Sequence, residues 1–371
     1  MDKPVIILGG GIWGSLLALR LKDALPEIDF ILYEESSVLG QGHTLTFKES
    51  DATNSMEWLK PIISQSWEKS QIRLNSKNRT IHEKWHLIAP EKLQQVLTRK
   101  LGNKLRINKT LTPEFALKDS SFVIDTRNSC YFKRTGFKKN LTHEIEILHG
   151  HELRDPVIFD SCVNQKERFR CLSYFPLDSQ RILIKDSWYS MNLSIQMDEM
   201  RSALGDFIST KGWGHARILR EEGHCSELPL SPPVFREEGR VLSLGGLFHD
   251  LTGCSIVMAT SLIEEMIKTS FRFGELKELI RGFRQKMEFE RKYIRLLNQQ
   301  IMEENPGKMF EFIFSQSDAF LKRFSGLNLS VMDRPRMIAL SSKIKAETIF
   351  ETMFHSKMPL DVKGSDSFSN G

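Results

Sequence analysis

A chain of 371 residues, 40% of them hydrophobic, can bury a large core and suggests two closely packed domains rather than one. The net charge of +5 is spread along the chain without a basic block, which argues against nucleic acid and fits a solvated surface or a mild attraction to an anionic membrane. Cys130, Cys162, Cys171, Cys225 and Cys254 form no C-x-x-C pair and no metal-ligand spacing, so they read as reduced thiols of a cytosolic protein with no metal site.

Residues 4–35 predict a strand–helix–strand unit. Val5-Ile6-Ile7-Leu8 runs into Gly9-x-Gly11-x-x-Gly14 and on into an apolar helix. In that setting the glycines form a dinucleotide-binding fingerprint. Gly9 serves the tight turn, Gly11 lets a pyrophosphate approach the backbone, and Gly14 lets helix and strand pack closely. The helix N-terminus offers free N–H groups and partial positive charge to the phosphates. Because this first apolar segment is a strand and helix, it is not a signal peptide, and no run in the chain reaches the ~20 apolar residues of a membrane span. Phe30-Ile31-Leu32-Tyr33 ends at Glu34, about 20 residues past the glycines, where an acid holds a ribose hydroxyl. Glu34 selects an unphosphorylated ribose, hence FAD or NAD. A glycine loop this early in the chain is typical of FAD enzymes. Glu35 is the neighbouring alternative, but strand alternation favours Glu34. Trp13 lies inside the loop, either beside a flavin or covering the helix start.

Residues 36–80 read as loops and short helices, with Gly40-x-Gly42-His43-Thr44 facing the cofactor region. Residues 90–101 are helical, with Pro90 in the first turn and Leu93, Val96 and Leu97 on one face. Phe122-Val123-Ile124-Asp125 is a buried strand that carries Arg127 toward the phosphates or into a surface ion pair. Residues 143–189 hold several strands of an antiparallel sheet: 144–147, 157–160, Arg168 to Tyr174, and 181–184. Residues 196–211 are helical, and Val241 to Gly246 is a final strand of the nucleotide domain. Helices follow over 254–270, 275–303 and 306–325. The last, with Phe310, Phe312, Ile313, Phe314, Phe320 and Phe324, is core, the wall of a greasy channel, or a membrane-docking face. From Lys357 the tail is loose.

These elements give an α/β fold: a Rossmann-type FAD-binding domain interrupted by an antiparallel-sheet substrate domain and followed by C-terminal helices, as in flavoprotein hydroxylases. The expected bounds are 1–140 with 238–272 for the FAD domain, 141–237 for the sheet domain, 273–356 for the helical region and 357–371 for the tail.

Several segments in order carry a closer likeness. They are Gly42-His43-Thr44, Val123-Ile124-Asp125-x-Arg127, Gly136-Phe137-Lys138-Lys139, Pro156-Val157-Ile158-Phe159-Asp160, Phe175-Pro176-Leu177, Arg181 to Tyr189, Gly212-Trp213, Gly246 to Ser255, Arg291 to Asn298, Arg323-Phe324, and Leu329-Ser330-x-x-Asp333-x-x-Arg336. Together, over roughly residues 4–338, they resemble the bacterial lycopene beta-cyclases, FAD-dependent proteins of carotenoid synthesis. The resemblance implies an isomerase. It protonates an end of a linear carotenoid such as lycopene, closes a ring and loses a proton, with no net redox change. The flavin works reduced, with NAD(P)H as reductant. A dry pocket, a proton donor and peripheral contact with the inner face of the membrane are implied as well.

The chain departs from that pattern at the presumed acid. Family members have Glu-Asp-Thr where this chain has Lys185-Asp186-Ser187. A buried ammonium repels a carbocation, and a neutral lysine is a base rather than a donor to an alkene. Asp186 is the remaining donor if it reaches the pocket; otherwise it is structural. Strand alternation sends Lys185 and Asp186 to opposite sheet faces. The family's FHPxTGYSxP is Phe248 to Val257 here, with His249, Thr252 and Gly253 kept. The resemblance puts His249, Thr252 and Gly253 beside the flavin ring and the reactive end of the substrate, and counts Gly246 among the cofactor-binding residues. Two other readings stand beside the cyclase: a flavin oxidoreductase or monooxygenase acting on a lipid, and a polyene binder that has lost its acid.

Overall fold

The first strand of the structure, a computed structural model that describes residues 3–127, 130–166, 169–194, 196–235, 239–303 and 306–340, is buried at every residue. It is β1 (Val5–Leu8), and total burial suits the middle of a parallel sheet covered on both faces. The glycine loop follows, then α1 (Ile12–Ala24) and β2 (Phe30–Tyr33). Next come β3 (Leu45–Lys48), α2 (Met56–Leu59), β4 (Gln65–Trp67), β5 (Ser70–Arg73), β6 (Asn78–Ile81) and β7 (Trp85–Ile88). The chain continues through α3 (Pro90–Leu101), β8 (Leu105–Arg106), α4 (Pro113–Lys118) and β9 (Val123–Asp125). The middle holds β10 (Cys130–Phe132), β11 (Thr135–Glu146), β12 (Val157–Asp160), β13 (Phe169–Pro176), β14 (Arg181–Ser190), α5 (Met197–Thr210), β15 (Arg217–Pro229) and β16 (Pro233–Phe235). β17 (Val241–Ser243) precedes α6 (Ile256–Ile267), α7 (Phe273–Glu303), α8 (Pro306–Ser315), α9 (Asp318–Ser325) and α10 (Asp333–Leu340).

Two sheets carry the architecture. The five-stranded parallel sheet has the order β17-β9-β1-β2-β8, so the chain leaves it after β9 and re-enters with β17. α1, α3 and α6 pack together on one side of it and α4 on the other. The seven-stranded sheet runs β15-β11-β14-β13-β12-β5-β6. Its neighbours are antiparallel except β12 and β5, which run parallel. α5 covers one face with Met200, Leu204 and Phe207 against Leu141, Ile184 and Trp188. On the opposite face Phe310 of α8 stacks on Phe169 and meets Phe159 and Tyr189. The fold is thus the α/β arrangement expected, a Rossmann-type sheet joined to an antiparallel one with helices at the C-terminus.

Three expectations need correction. Residues 36–80 are not only loops and short helices: they contain β3, β4, β5 and β6. These strands are three or four residues long, too short for a run of alternation to stand out. The strand expected over 144–147 is the end of β11, which begins at Thr135. Its first half, Gly136 to Asn140, looks polar because those residues do not all face the core. The helix expected over 306–325 breaks at Gln316-Ser317, where the Ser317 hydroxyl accepts from Phe320 N–H at 3.3 Å and caps α9. Phe310, Ile313, Phe320 and Phe324 are buried, which makes this segment core rather than a membrane face. Arg168 and the tail from Lys357 lie outside the described residues. No described helix is long and apolar enough to cross a membrane.

α7 is locked to the loop after β17 by buried charge. Asp250 accepts from Arg291 Nε at 3.1 and 3.0 Å and from Arg295 Nη1 at 3.3 Å, and its carbonyl accepts from Asn298 Nδ2 at 2.7 Å. Glu288 completes the network on Arg295. Removing one partner would strand a buried charge, so this loop is held firmly where it meets the site.

Candidate active site

The glycine loop has the turn and the close helix approach that its spacing predicts. Gly9 sits at φ +96°, a left-handed conformation that favours glycine. A Cβ on Gly14 would stand 1.8 Å from the Gly9 carbonyl oxygen, so only glycine lets α1 approach β1 this closely. Gly11 is the N-cap of α1, and no side chain caps the helix there; the first N–H groups of the helix remain available to an anion. Gly9, Gly11, Glu34, Thr126 and Arg127 line one cleft. Glu34 is half-buried at the tip of β2. Its carboxylate accepts from Gly10 N–H at 2.5 Å and Ser36 N–H at 2.8 Å, which aims it along the loop. Glu35 is exposed. Arg127 keeps both predicted roles open: it lines the cleft and pairs with Asp125 through Nε at 2.9 Å and Nη2 at 2.8 Å. The donors and the cradle suit an adenine dinucleotide.

From this cleft two loops lead to the seven-stranded sheet. In the first, Gly40 N–H donates to the Gly10 carbonyl at 2.8 Å. His43 then lies 4.6 Å from His224 of β15, ring to ring. Thr44 donates from N–H at 3.1 Å and from its hydroxyl at 3.0 Å to Glu222, also on β15. The second loop follows β17. Gly246 at φ +73° lies against Cys130, and Gly253 at φ +72° lies against Ser226 of β15. Trp13 donates from Nε1 to the Leu247 carbonyl at 3.0 Å and so ties the helix start to this loop.

Register defines the face on which the loops converge. Thr142 of β11 pairs with Lys185 of β14 on one side and Glu222 of β15 on the other. Lys138, Asn140 and Thr142 share this face with Tyr189, Ser187 and Lys185, and with Ser226, His224 and Glu222. Burial draws the Lys185 ammonium down to about 8, with Lys138 adding repulsion. Yet Lys185 and Lys138 both keep accessible surface. Both are half-buried on the face that the two loops approach, and that face is the floor of the candidate recess. Neither ammonium has a hydrogen bond or ion pair among the described residues. His224 is held neutral, at about 4, by burial and the positive groups around it. Glu222 is already matched by Thr44 and by Arg220 at 3.2 Å.

The family model described as lycopene cyclase protein matches residues 4–349. The chain belongs to the lycopene cyclase family. A lycopene beta-cyclase from Pseudescherichia vulneris is 26% identical over 364 residues, covering 91% of this chain and 93% of its own. Another, from Pantoea ananas, is 25% identical over 359 residues, covering 90% and 94%. Among solved structures, a geranylgeranyl bacteriochlorophyll reductase-like protein from Thermoplasma acidophilum superposes with a TM-score of 0.63 at 12% identity, covering 95% of this chain and 99% of that one. A p-nitrophenol 4-monooxygenase from Pseudomonas putida gives 0.56 at 13% identity, covering 94% and 98%. At these identities the structural likeness is one of fold, and the fold is the flavoprotein type.

In this lycopene cyclase family member two expected catalytic residues stand away from the recess. Asp186 is fully buried on the opposite face, under α5. Arg170 holds its carboxylate through Nε at 3.0 Å and Nη2 at 2.8 Å, and Trp188 Nε1 donates at 3.0 Å. An ion-paired carboxylate behind the sheet is no proton donor to a ligand in front of it. His249 is 1% exposed and satisfied at both ring nitrogens. Nε2 meets the Phe324 carbonyl at 3.2 Å, and Nδ1 accepts from Leu251 N–H at 3.3 Å. Burial keeps it neutral, at about 4. It is a staple between the loop and α9. Glu222, His224 and Lys138 were missed as members of the site. The alternation Arg220-x-Glu222-x-His224-x-Ser226 was the available signal, a strand with one polar face turned inward.

Proposed function

We propose that this lycopene cyclase family member is a flavin-dependent carotenoid cyclase, closing a ring at the end of a linear polyene such as lycopene without net redox change. The observation that carries this reading is the family match over nearly the whole chain. The inward face of the seven-stranded sheet, reached by both loops from the glycine cleft, supports it. FAD would be held by Gly9, Gly11, Gly14 and Glu34, with Arg127 at the cleft edge. His43, Gly246 and Gly253 would border its ring. Reduced by NAD(P)H, the flavin supplies an electron-rich ring beside a developing cation. The protein would contribute water-poor surroundings, the candidate recess lying on the same sheet face as the buried aromatic cluster of Phe169, Tyr189 and Phe310. Lys185 stands at the family's acid position. As a neutral amine it would accept the proton lost on ring closure; as an ammonium it would donate poorly to an alkene. A substrate dissolved in the bilayer calls for peripheral contact with the inner face of the membrane.

A second reading, a non-catalytic polyene binder, is favoured by one observation. The recess presents Lys185 and Lys138, and the carboxylate beside them, Glu222, is already engaged. A lipid oxidoreductase on the same fold is the third. Expression in a host that accumulates lycopene separates them. The cyclase converts acyclic pigment to ringed pigment without stoichiometric use of nicotinamide. The oxidoreductase consumes nicotinamide at each turnover. Unchanged lycopene beside folded, flavin-bound protein overturns the cyclase reading.

A further inference from the structure

We infer that the protein carries a second ligand site, for a phosphate monoester on a planar ring, the mononucleotide class, in a cleft on the α5 side of the seven-stranded sheet. The cleft has a volume of about 620 Å³, within the range of small-molecule sites. Its floor is made by β5 and β13, its walls by the loop 150–155 and by the turn that follows α5. Ser173 pairs with Lys185, so its neighbour Tyr174 points to the other side of the sheet, away from the loops that lead from the glycine cleft. Both walls are anchored. His151 N–H donates to the Ser179 carbonyl at 3.1 Å, and Gly150, at φ +76°, lies so close that a Cβ would stand 2.8 Å from the same oxygen. Trp213 N–H donates to the Ile208 carbonyl at 3.0 Å, which folds the turn back onto the end of α5.

The charges in the cleft call for an anion. Arg73 Cζ lies 5.6 Å and Lys211 Nζ 5.7 Å from the centre of the Tyr174 ring, and Arg154 stands exposed on the wall. None of the three has an ion pair among the described residues. The acids nearby are engaged or lie outward. Asp155 pairs with Lys69 at 3.3 Å. Asp160, in register with Arg73, accepts from the Tyr174 hydroxyl at 2.9 Å and from Cys162 N–H at 2.9 Å. Glu152 is exposed. Burial first, and then the Arg73 guanidinium, draw the Lys211 ammonium down, with Asp160 opposing them. Several cations against one committed carboxylate are better matched by a phosphate monoester, near two negative charges with three acceptor oxygens, than by a single carboxylate. The rings specify the rest of the ligand. Trp213 is half-buried and stands edge-on to Tyr174 at 6.3 Å, and its indole N–H donates to nothing among the described residues. A planar ring finds an aromatic surface and a hydrogen-bond donor there. A bare anion would satisfy the charges and leave the indole unused.

The test uses the full chain in excess FAD, which keeps the glycine cleft filled, and three probes: GMP, guanosine and inorganic phosphate. Calorimetric titration is the readout. GMP binds at least about tenfold more tightly than either of its parts, the scale of one hydrogen bond to a charged group. Arg73→Met and Lys211→Met each weaken GMP about tenfold and leave guanosine unchanged. Trp213→Ala weakens GMP and guanosine and leaves inorganic phosphate unchanged. Melting temperature reports that each variant is folded, and Arg154→Met, at an exposed position, weakens GMP without a burden on the fold. No binding of GMP, equal binding of GMP and guanosine, or inorganic phosphate as tight as GMP overturns the inference. GMP binding that survives all three methionine variants overturns it as well. The outcome is independent of pigment conversion in the lycopene host, because the cleft lies on the other side of the sheet from Lys185.

Discussion

Lys185 and Glu222 occupy one face of the seven-stranded sheet, separated by β11 alone, with Thr142 in register with both. On the proposed reading Lys185 takes the place of the family's acid, and the carboxylate across from it is committed to Thr44 and Arg220. The chemistry of the recess turns on that exchange.

Restoring the acid is the direct check. Lys185→Glu should raise ring formation in a lycopene-accumulating host, by about a hundredfold or more if a general acid is regained. The ringed fraction of extracted pigment is the measurement. Unaltered pigment from folded, yellow protein would put the donor at another residue.

Asp186→Asn should act on stability. It leaves Arg170 buried without its counter-charge, a loss on the order of 3–5 kcal/mol. The melting temperature should fall, while flavin bound per folded molecule stays constant. An unchanged melt with a selective fall in turnover would return Asp186 to the chemistry.

Gly14→Ala should abolish flavin binding, since the added Cβ would collide with the Gly9 carbonyl at 1.8 Å. Absorbance of the purified variant in the flavin bands is the readout. A variant that purifies yellow would contradict the cradle described for the glycine loop.

His249 gives a pH dependence with a defined sign. Its folded value, about 4, lies below the ordinary 6.5. The neutral form belongs to the folded state, so its contribution is complete above pH 6.5 and is lost as pH falls toward 4. Between pH 8 and pH 5 the loss is about 2 kcal/mol. Unfolding free energies from denaturant titrations at the two pH values should fall by this much more in the wild type than in His249→Gln. Equal acid sensitivity of the two proteins would remove it.

Much of the fold could be read from residue patterns because its strongest signals are local. Val5 to Gly14 carries strand, turn and helix in one stretch, and Glu34 follows at a fixed interval. The opposite orientation of Lys185 and Asp186 came from the period of a strand. β5 and β6 escaped because four residues bracketed by polar ones give no sustained pattern, and their place is set by pairing with residues far along the chain. β15 escaped for a different reason. Its inward residues are polar because they face a recess and two loops, so the hydrophobic alternation that marks strands is missing where the site is built. His249 misled through its motif: motif position says which loop a residue occupies, and hydrogen bonds decide which way its ring points.

The parallel pairing of β5 with β12 has a consequence for how the molecule can be taken apart and put together. Val157 aligns with Gln71, so one edge of the middle sheet is supplied by a segment made long before the remainder. Excising residues 135–235 as a fragment would expose the backbone of β12 as an open, sticky border. Long-range parallel alignment of this kind slows assembly, and the half-made sheet must wait with its oily side bare. Slow refolding of the whole chain is the consequence to expect from this single backbone seam.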